Sequence, residues 1–156
     1  MKIIKTEISK IDKIRPLWEE LNEYIESLHR KYFRETLGIT WKQFRNRAIT
    51  GKAKFDIIKD NKKIVGYCIS IINKLLEGEI VSIYILPEFR SKGIGTHLIK
   101  EHLKWLKENK VKSIFLYVHP CNIDAIRLYW RFNFFSNSPL MEVCTAGFGR
   151  IGNESL

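Results

Sequence analysis

Pro87-Glu88-Phe89-Arg90-Ser91-Lys92-Gly93-Ile94-Gly95-Thr96 joins an apolar run, Glu79 to Leu86, to a segment of helical periodicity, Gly93 to Asn109. The run reads as a strand that Pro87 ends, and apolar residues at Ile94, Leu98, Ile99, Leu103 and Leu106 form the stripe of a helix. A strand, a loop with two glycines and two cations, and then a helix make an anion site. The first N–H groups of a helix have no partner within it, and the helix dipole favours negative charge there. Glycines let the main chain approach a phosphate closely, and Arg90 and Lys92 add charge. The dinucleotide fingerprint needs a third glycine where Leu98 stands, and the Gly51-Lys52 pair is followed by Ala53 rather than the Ser or Thr of a Walker loop. A plain turn between strand and helix is the alternative, and it leaves both cations and both glycines without a purpose.

Working outward, residues 2 to 8 read as a strand. Ile11, Ile14, Leu17, Trp18, Leu21, Tyr24, Ile25 and Leu28 make a strong helical stripe that begins or bends near Pro16. A second helix is predicted over about Thr40 to Ala48, ending at Thr50-Gly51. Ala53 to Lys59 and Lys63 to Ile72 read as a hairpin around Asp60-Asn61-Lys62. Ser113 to Val118 is nearly all apolar, as in a strand covered on both faces. Asn122 to Phe132 reads as a short helix, and Phe134-Phe135 with Leu140 to Thr145 as a closing pair of strands. Gly147 to Leu156 has no periodicity and reads as loose. No repeat or linker interrupts the 156 residues, which are read as one α/β domain.

Composition narrows the function. A hydrophobic share of 45% with 4 Trp, 6 Tyr and 9 Phe excludes a disordered chain. No apolar run approaches the roughly 18 residues of a membrane span, and the start alternates polar and apolar residues rather than forming a leader. The expectation is a cytoplasmic protein with no membrane partner. Cys68, Cys121 and Cys144 form no Cys-x-x-Cys pair. Cys121, in a loop, is either a reactive thiol or an inert one, the second being favoured. Net charge is +10, from 27 Lys plus Arg against 17 Asp plus Glu. That suits nucleic acid, an acidic surface or a polyphosphate cofactor, and its even spread along the chain disfavours nucleic acid. His97 and His102 are expected solvated or beside phosphate, and His119 near the cleft as a proton relay. Their spacing makes no metal site, so no metal is expected.

Arg90-Ser91-Lys92-Gly93-Ile94-Gly95 matches position for position the signature of the GNAT superfamily of N-acetyltransferases: Arg or Gln, two residues, Gly, one residue, then Gly or Ala. Asn122-Ile123-Asp124-Ala125-Ile126-Arg127-Leu128-Tyr129 resembles the second cofactor segment of that family. Where the family continues with Gly-Phe, this chain has Asn133-Phe134, and asparagine tolerates the left-handed turn. The resemblance covers residues 53 to 145, the cofactor-binding core of a domain spanning 1–146. Residues 1–50 would be the variable acceptor side and 147–156 a tail.

The resemblance implies a central mixed, mostly antiparallel sheet, splayed at a cofactor cleft, with helices on both faces. It implies acetyl-CoA as co-substrate and an amine as acceptor. The strand before the loop would carry a bulge, and the main chain of Ile83, Tyr84 and Ile85 would bind pantetheine and polarise the thioester carbonyl. N–H groups of Arg90, Ser91, Lys92, Gly93, Ile94, Gly95 and Thr96 would cradle the pyrophosphate, with Asn122 and Ala125 on the pantetheine side. Tyr129 would protonate the departing thiolate; its bland alternative is a core tyrosine. An alkyl ammonium, with pKa near 10.4, must lose a proton before it attacks. Glu79 is the candidate base, against the alternative of an exposed strand-end glutamate. Family members often dimerise, so a homodimer is expected by resemblance.

The acceptor stays open among polyamines, amino acids, antibiotics, and protein N-termini or lysines. Glu19, Glu20, Glu23 and Glu26 either attract a cation or form a solvated helix face. Trp18, Tyr24, Tyr32, Phe33 and Trp41 either line the acceptor pocket or pack. Two rival functions stand beside the enzyme: an acyl-CoA-binding sensor of the same fold without turnover, and a basic nucleic-acid-binding domain with salt-dependent affinity.

Overall fold

The computed structural model describes residues 1–135 and 149–153. The chain runs β1 (Lys2–Thr6), a 3-10 segment (Ile8–Ile14), α1 (Arg15–Arg30), α2 (Trp41–Ala48), β2 (Lys52–Asp60), β3 (Lys63–Ile72) and β4 (Glu77–Ile85). A 3-10 turn (Pro87–Phe89) leads to α3 (Ile94–Glu108), followed by β5 (Ser113–Val118), α4 (Ile123–Trp130), β6 (Phe134–Phe135) and β7 (Gly149–Asn153). The strands form one mixed sheet in the order β1-β2-β3-β4-β5-β7-β6, in which β4 and β5 are parallel and the other pairs antiparallel.

Local chemistry sets the boundaries. Pro16 sits in the first turn of α1, where its missing N–H costs nothing, and the predicted stripe is split there. Ile11 and Ile14 lie in the preceding 3-10 segment, fully buried. Thr40 and Gln43 close a reciprocal capping box on α2. Asn61 turns the β2–β3 hairpin at φ 52°, and Asn133 takes φ 58° after α4, the left-handed turn expected of it. Gly51, at φ 85°, lies so close to the Ile72 carbonyl oxygen that no Cβ fits.

Helices cover both faces. Ser70 on β3 pairs with Ile80 on β4, and both face α3; Ser70 Oγ lies 2.8 Å from His102 Nδ1. His102 is therefore fully buried against the sheet, neither solvated nor beside phosphate as the sequence suggested. It is 3.3 Å from Asp56, itself paired with Lys54 at 2.9 Å. Ser70, His102 and Asp56 thus stand in the order of a hydrolytic triad. All three are buried beneath α3, where no substrate reaches the serine, so the group is a buried polar network.

The chain's end departs from the reading of residues 147–156 as loose: Gly149–Asn153 is a strand inserted between β5 and β6. Two glycines in five residues give no alternation to read, and the strand exists through pairing with distant partners on both sides. Leu140 to Thr145, read as a strand, lies outside the described residues, as does Cys144.

Candidate active site

A bulge and a splay make the cleft. On β4 the register with β3 slips between Ile80, paired with Ser70, and Ser82, paired with Ile69, leaving Val81 as the extra residue. The slip changes which face each side chain takes, so Glu79, Ser82 and Tyr84 share one face of the sheet. Without it, Glu79 and Tyr84 would lie on opposite sides. On the other edge, β4 pairs with β5 only through Glu77–Ile80, the last pair being Ile80 with Leu116. Beyond it, among the described residues, the edge of Ile83, Tyr84 and Ile85 faces no strand. Opening such a gap exposes unpaired peptide groups of the kind an extended ligand chain can bind.

The cleft so formed has a volume of about 1230 Å³ and runs from the loop before α3 to the helices α1 and α2. Of the residues singled out from sequence, Glu79, Ile83, Tyr84, Ile85, Arg90, Ser91, Gly93, Ile94, Gly95, Thr96, Asn122, Ala125 and Tyr129 line it; Lys92 does not. Lys92 turns instead to Phe89, with Nζ 5.3 Å from the ring centre and 3.4 Å from the Glu88 carbonyl oxygen.

At one end, Ser91 and Gly93 take φ of 60° and 75°, curling the loop into a concavity of N–H groups. The first intrahelical bond of α3 comes from the His97 N–H, so those of Ile94, Gly95 and Thr96 precede it, and no side chain caps them. The first turn carries no carboxylate to compete for the site. Arg90 does less for phosphate than expected. Its Nε donates to the Ile85 carbonyl oxygen at 2.8 Å and its guanidinium lies over the Tyr84 ring, so it ties the loop to the end of β4.

At the centre, Tyr129 is 7% exposed and its ring meets Phe134 edge-on. Its hydroxyl makes no hydrogen bond among the described residues, and burial pushes the phenol up, so the proton is retained. Asn122 lines the cleft and caps α4, its Oδ1 accepting from the Ala125 N–H at 3.3 Å.

At the other end, Glu79 is 6% exposed rather than a solvated strand end. It accepts from Arg47 Nη2 of α2 at 2.5 Å, and the Arg47 guanidinium lies 4.7 Å over the Tyr117 ring. Sequence reading missed Arg47. No local signal marked it, since only Phe44 and Ala48 of α2 are buried and Arg47 stands exposed beside them. The glutamates of α1 divide: Glu20 accepts from the Tyr84 hydroxyl at 2.6 Å and Glu26 from the Leu37 N–H at 3.1 Å, whereas Glu19 pairs with Arg15 on the surface. Trp18, Trp41 and Phe44 pack ring on ring and Trp18 and Phe44 reach the cleft wall, whereas Tyr32 is exposed.

His119 lines the cleft and has a partner that sequence reading did not supply. His29, at the end of α1, places Nδ1 3.0 Å from His119 Nε2, and His119 Nδ1 accepts from the Cys121 N–H at 3.2 Å. The chain of bonds holds only with His119 protonated at Nε2 alone. Burial, and then His29, hold the His119 imidazole below the ordinary histidine range, and burial does the same to His102. Both groups take up a proton more readily unfolded than folded, so stability falls as pH drops below about 6.5. Urea unfolding at pH 7.5 and 5.5 is expected to show a lower midpoint at 5.5, with the difference reduced in His119→Asn.

Among the described residues, no three His, Cys, Asp or Glu side chains gather as metal ligands would. No helix there is long and apolar enough to cross a membrane.

Comparison with known proteins agrees with this geometry. A family described as "Acetyltransferase (GNAT) family" matches residues 14–134. An N-alpha-acetyltransferase of Saccharolobus solfataricus is 35% identical over 96 residues, 54% of this chain and 57% of that protein. One from Sulfolobus acidocaldarius is 42% identical over 59 residues, 37% of this chain and 35% of that protein. The match therefore spans between about a third and somewhat over half of these relatives' length. Among solved structures, a PaiA N-acetyltransferase from Thermoplasma acidophilum in complex with coenzyme A superposes with a TM-score of 0.66 at 18% identity, covering 97% of each chain. A ribosomal-protein-alanine N-acetyltransferase from Brucella melitensis gives 0.58 at 20% identity, over 88% of this chain and 86% of that one.

Proposed function

The chain belongs to the acetyltransferase (GNAT) family, and from that we propose that it is an acyl-CoA-dependent N-acyltransferase, with acetyl-CoA as donor and an amine as acceptor. The observation that carries the reading is the convergence on one cleft of three features: the uncapped N–H groups before α3, the splayed edge of β4, and the hydroxyl of Tyr129. Pyrophosphate binds the first, pantetheine lies along the second, and the thioester sulfur comes to rest near the third. The amine enters from the side of α1 and α2.

In the reaction Glu79 takes the ammonium proton, directly or through a water. The neutral nitrogen attacks the thioester carbonyl, whose oxygen is stabilised by a main-chain N–H of β4. The C–N bond forms, the C–S bond breaks, and the thiolate takes its proton from Tyr129. Acceptor class follows less directly. The names of the curated relatives favour an α-amine.

Calorimetric titration with acetyl-CoA, followed by thiol release over a panel of amines, tests the reading. Binding with amine-dependent release is expected. A folded protein that binds neither acetyl-CoA nor longer acyl-CoAs would overturn it and bring the nucleic-acid reading forward. Glu79→Gln is expected to lower kcat about 10- to 100-fold with acetyl-CoA affinity unchanged. Steady-state rates across pH check this, since the loss should shrink at high pH where the amine deprotonates in solution.

A further inference from the structure

The Arg47–Glu79 pair at the acceptor end of the cleft carries an inference about the substrate, which rests on the acyltransferase reading above. Glu79 is an almost wholly buried carboxylate, and a charge in that position needs a counter-charge at all times. Arg47 supplies one, from a side chain that is itself 47% exposed. Arg47 spends one guanidinium nitrogen on Glu79 and its face on Tyr117; its Nε and Nη1 have no partner among the described residues. The guanidinium is thus held flat against a ring at the edge of the cleft, with donors to spare.

A simple ammonium arriving at Glu79 meets a difficulty. It would have to share one carboxylate with Arg47, placing two cations within a few ångströms of each other, or else push Arg47 out into solvent and away from Glu79. A polyamine makes this worse, since it brings more positive charge. An acceptor that carries its own carboxylate beside the amine removes the difficulty. Its ammonium takes Arg47's place on Glu79, and its carboxylate engages the edge that the released Nη2 forms with a neighbouring nitrogen, in the two-point geometry that arginine favours. Two complementary ion pairs then replace one, and the buried carboxylate is never without a counter-charge. The exchange also releases Glu79 Oε1 from Arg47 to accept the ammonium proton, so the base becomes available when the right acceptor is present.

We propose that the acceptor is a free α-amino acid, bound as a zwitterion across Arg47 and Glu79. Leu21, Ile25 and Ile39 line the same cleft, which offers an apolar surface to a side chain.

The test compares L-leucine with L-leucinamide and isoamylamine, and L-phenylalanine with phenethylamine, by thiol release from acetyl-CoA. For leucine and phenylalanine, kcat/KM is expected at least about tenfold above that of the counterparts lacking the carboxylate. Arg47→Gln should erase that preference, dropping leucine to the level of isoamylamine, while Arg47→Lys keeps part of it. Calorimetry should show acetyl-CoA affinity unchanged in both variants, which separates this role from misfolding. If isoamylamine or leucinamide serves as well as leucine in the wild type, or if Arg47→Gln lowers all acceptors equally, the zwitterion proposal is overturned while the acyltransferase reading stands. Acetyl-CoA binding without turnover of any amine would sink the acyltransferase reading, and this proposal with it.

Discussion

Gly93→Glu is expected to weaken acetyl-CoA binding by at least about 100-fold, roughly 3 kcal/mol, in a calorimetric titration. The residue sits at the N-cap of α3 with φ 75°, at the focus of the N–H groups of the following turn. A Cβ built there meets nothing within 4 Å, so the added side chain has room and the fold has no steric reason to fail. What the glutamate brings is a negative charge at the position proposed for pyrophosphate. There it can fold back onto the uncapped N–H groups as an internal ligand, as carboxylates do at helix N-termini. Part of the loss will come from backbone conformation, because a non-glycine residue at this φ costs on the order of 1 kcal/mol or more. Gly93→Asn isolates that part, since asparagine tolerates the left-handed region. It should bind acetyl-CoA much better than the glutamate variant. The difference between the two should shrink as salt screens the repulsion. Equal and small losses in both would show that phosphate does not lie against this turn.

The loop from Pro87 to Thr96 was legible because its chemistry is local: glycine spacing, cations and a helix start are all written within ten residues. The same holds for the Asn133 turn and for the helix read over about Thr40 to Ala48. The bulge at Val81 is different. Nothing in Glu79-Ile80-Val81-Ser82 marks the slip, and the resemblance alone gave reason to expect it. Yet it decides that Glu79 and Tyr84 face the same cleft. Arg47 and His29 were missed because their roles exist only through partners 32 and 90 residues away, Glu79 and His119. His102 was misread for a related reason. Its place on the helix stripe was visible, but the buried serine and aspartate that receive it belong to two different strands. The strand at Gly149–Asn153 has no local signal at all, being held entirely by its neighbours in the sheet.

Tyr129→Phe should lower kcat by about 100- to 1000-fold and leave acetyl-CoA affinity within about twofold of the wild type. The substitution removes one oxygen from a side chain whose ring is packed against Phe134, so the wall of the cleft is kept. The hydroxyl makes no hydrogen bond among the described residues, so its loss strands no partner, and the variant should be at least as stable as the parent. Burial keeps the phenol protonated through the working pH range. In the proposed reaction its proton is therefore available to the departing thiolate, and the phenol is restored from solvent after the product leaves. Because only the departing thiolate needs that proton, the penalty should fall on kcat rather than on KM. A donor thioester whose leaving thiol is more acidic needs less help, so such a thioester should recover a large part of the loss in Tyr129→Phe. A variant that keeps full kcat with acetyl-CoA would assign Tyr129 to packing alone and leave protonation of the thiolate to water.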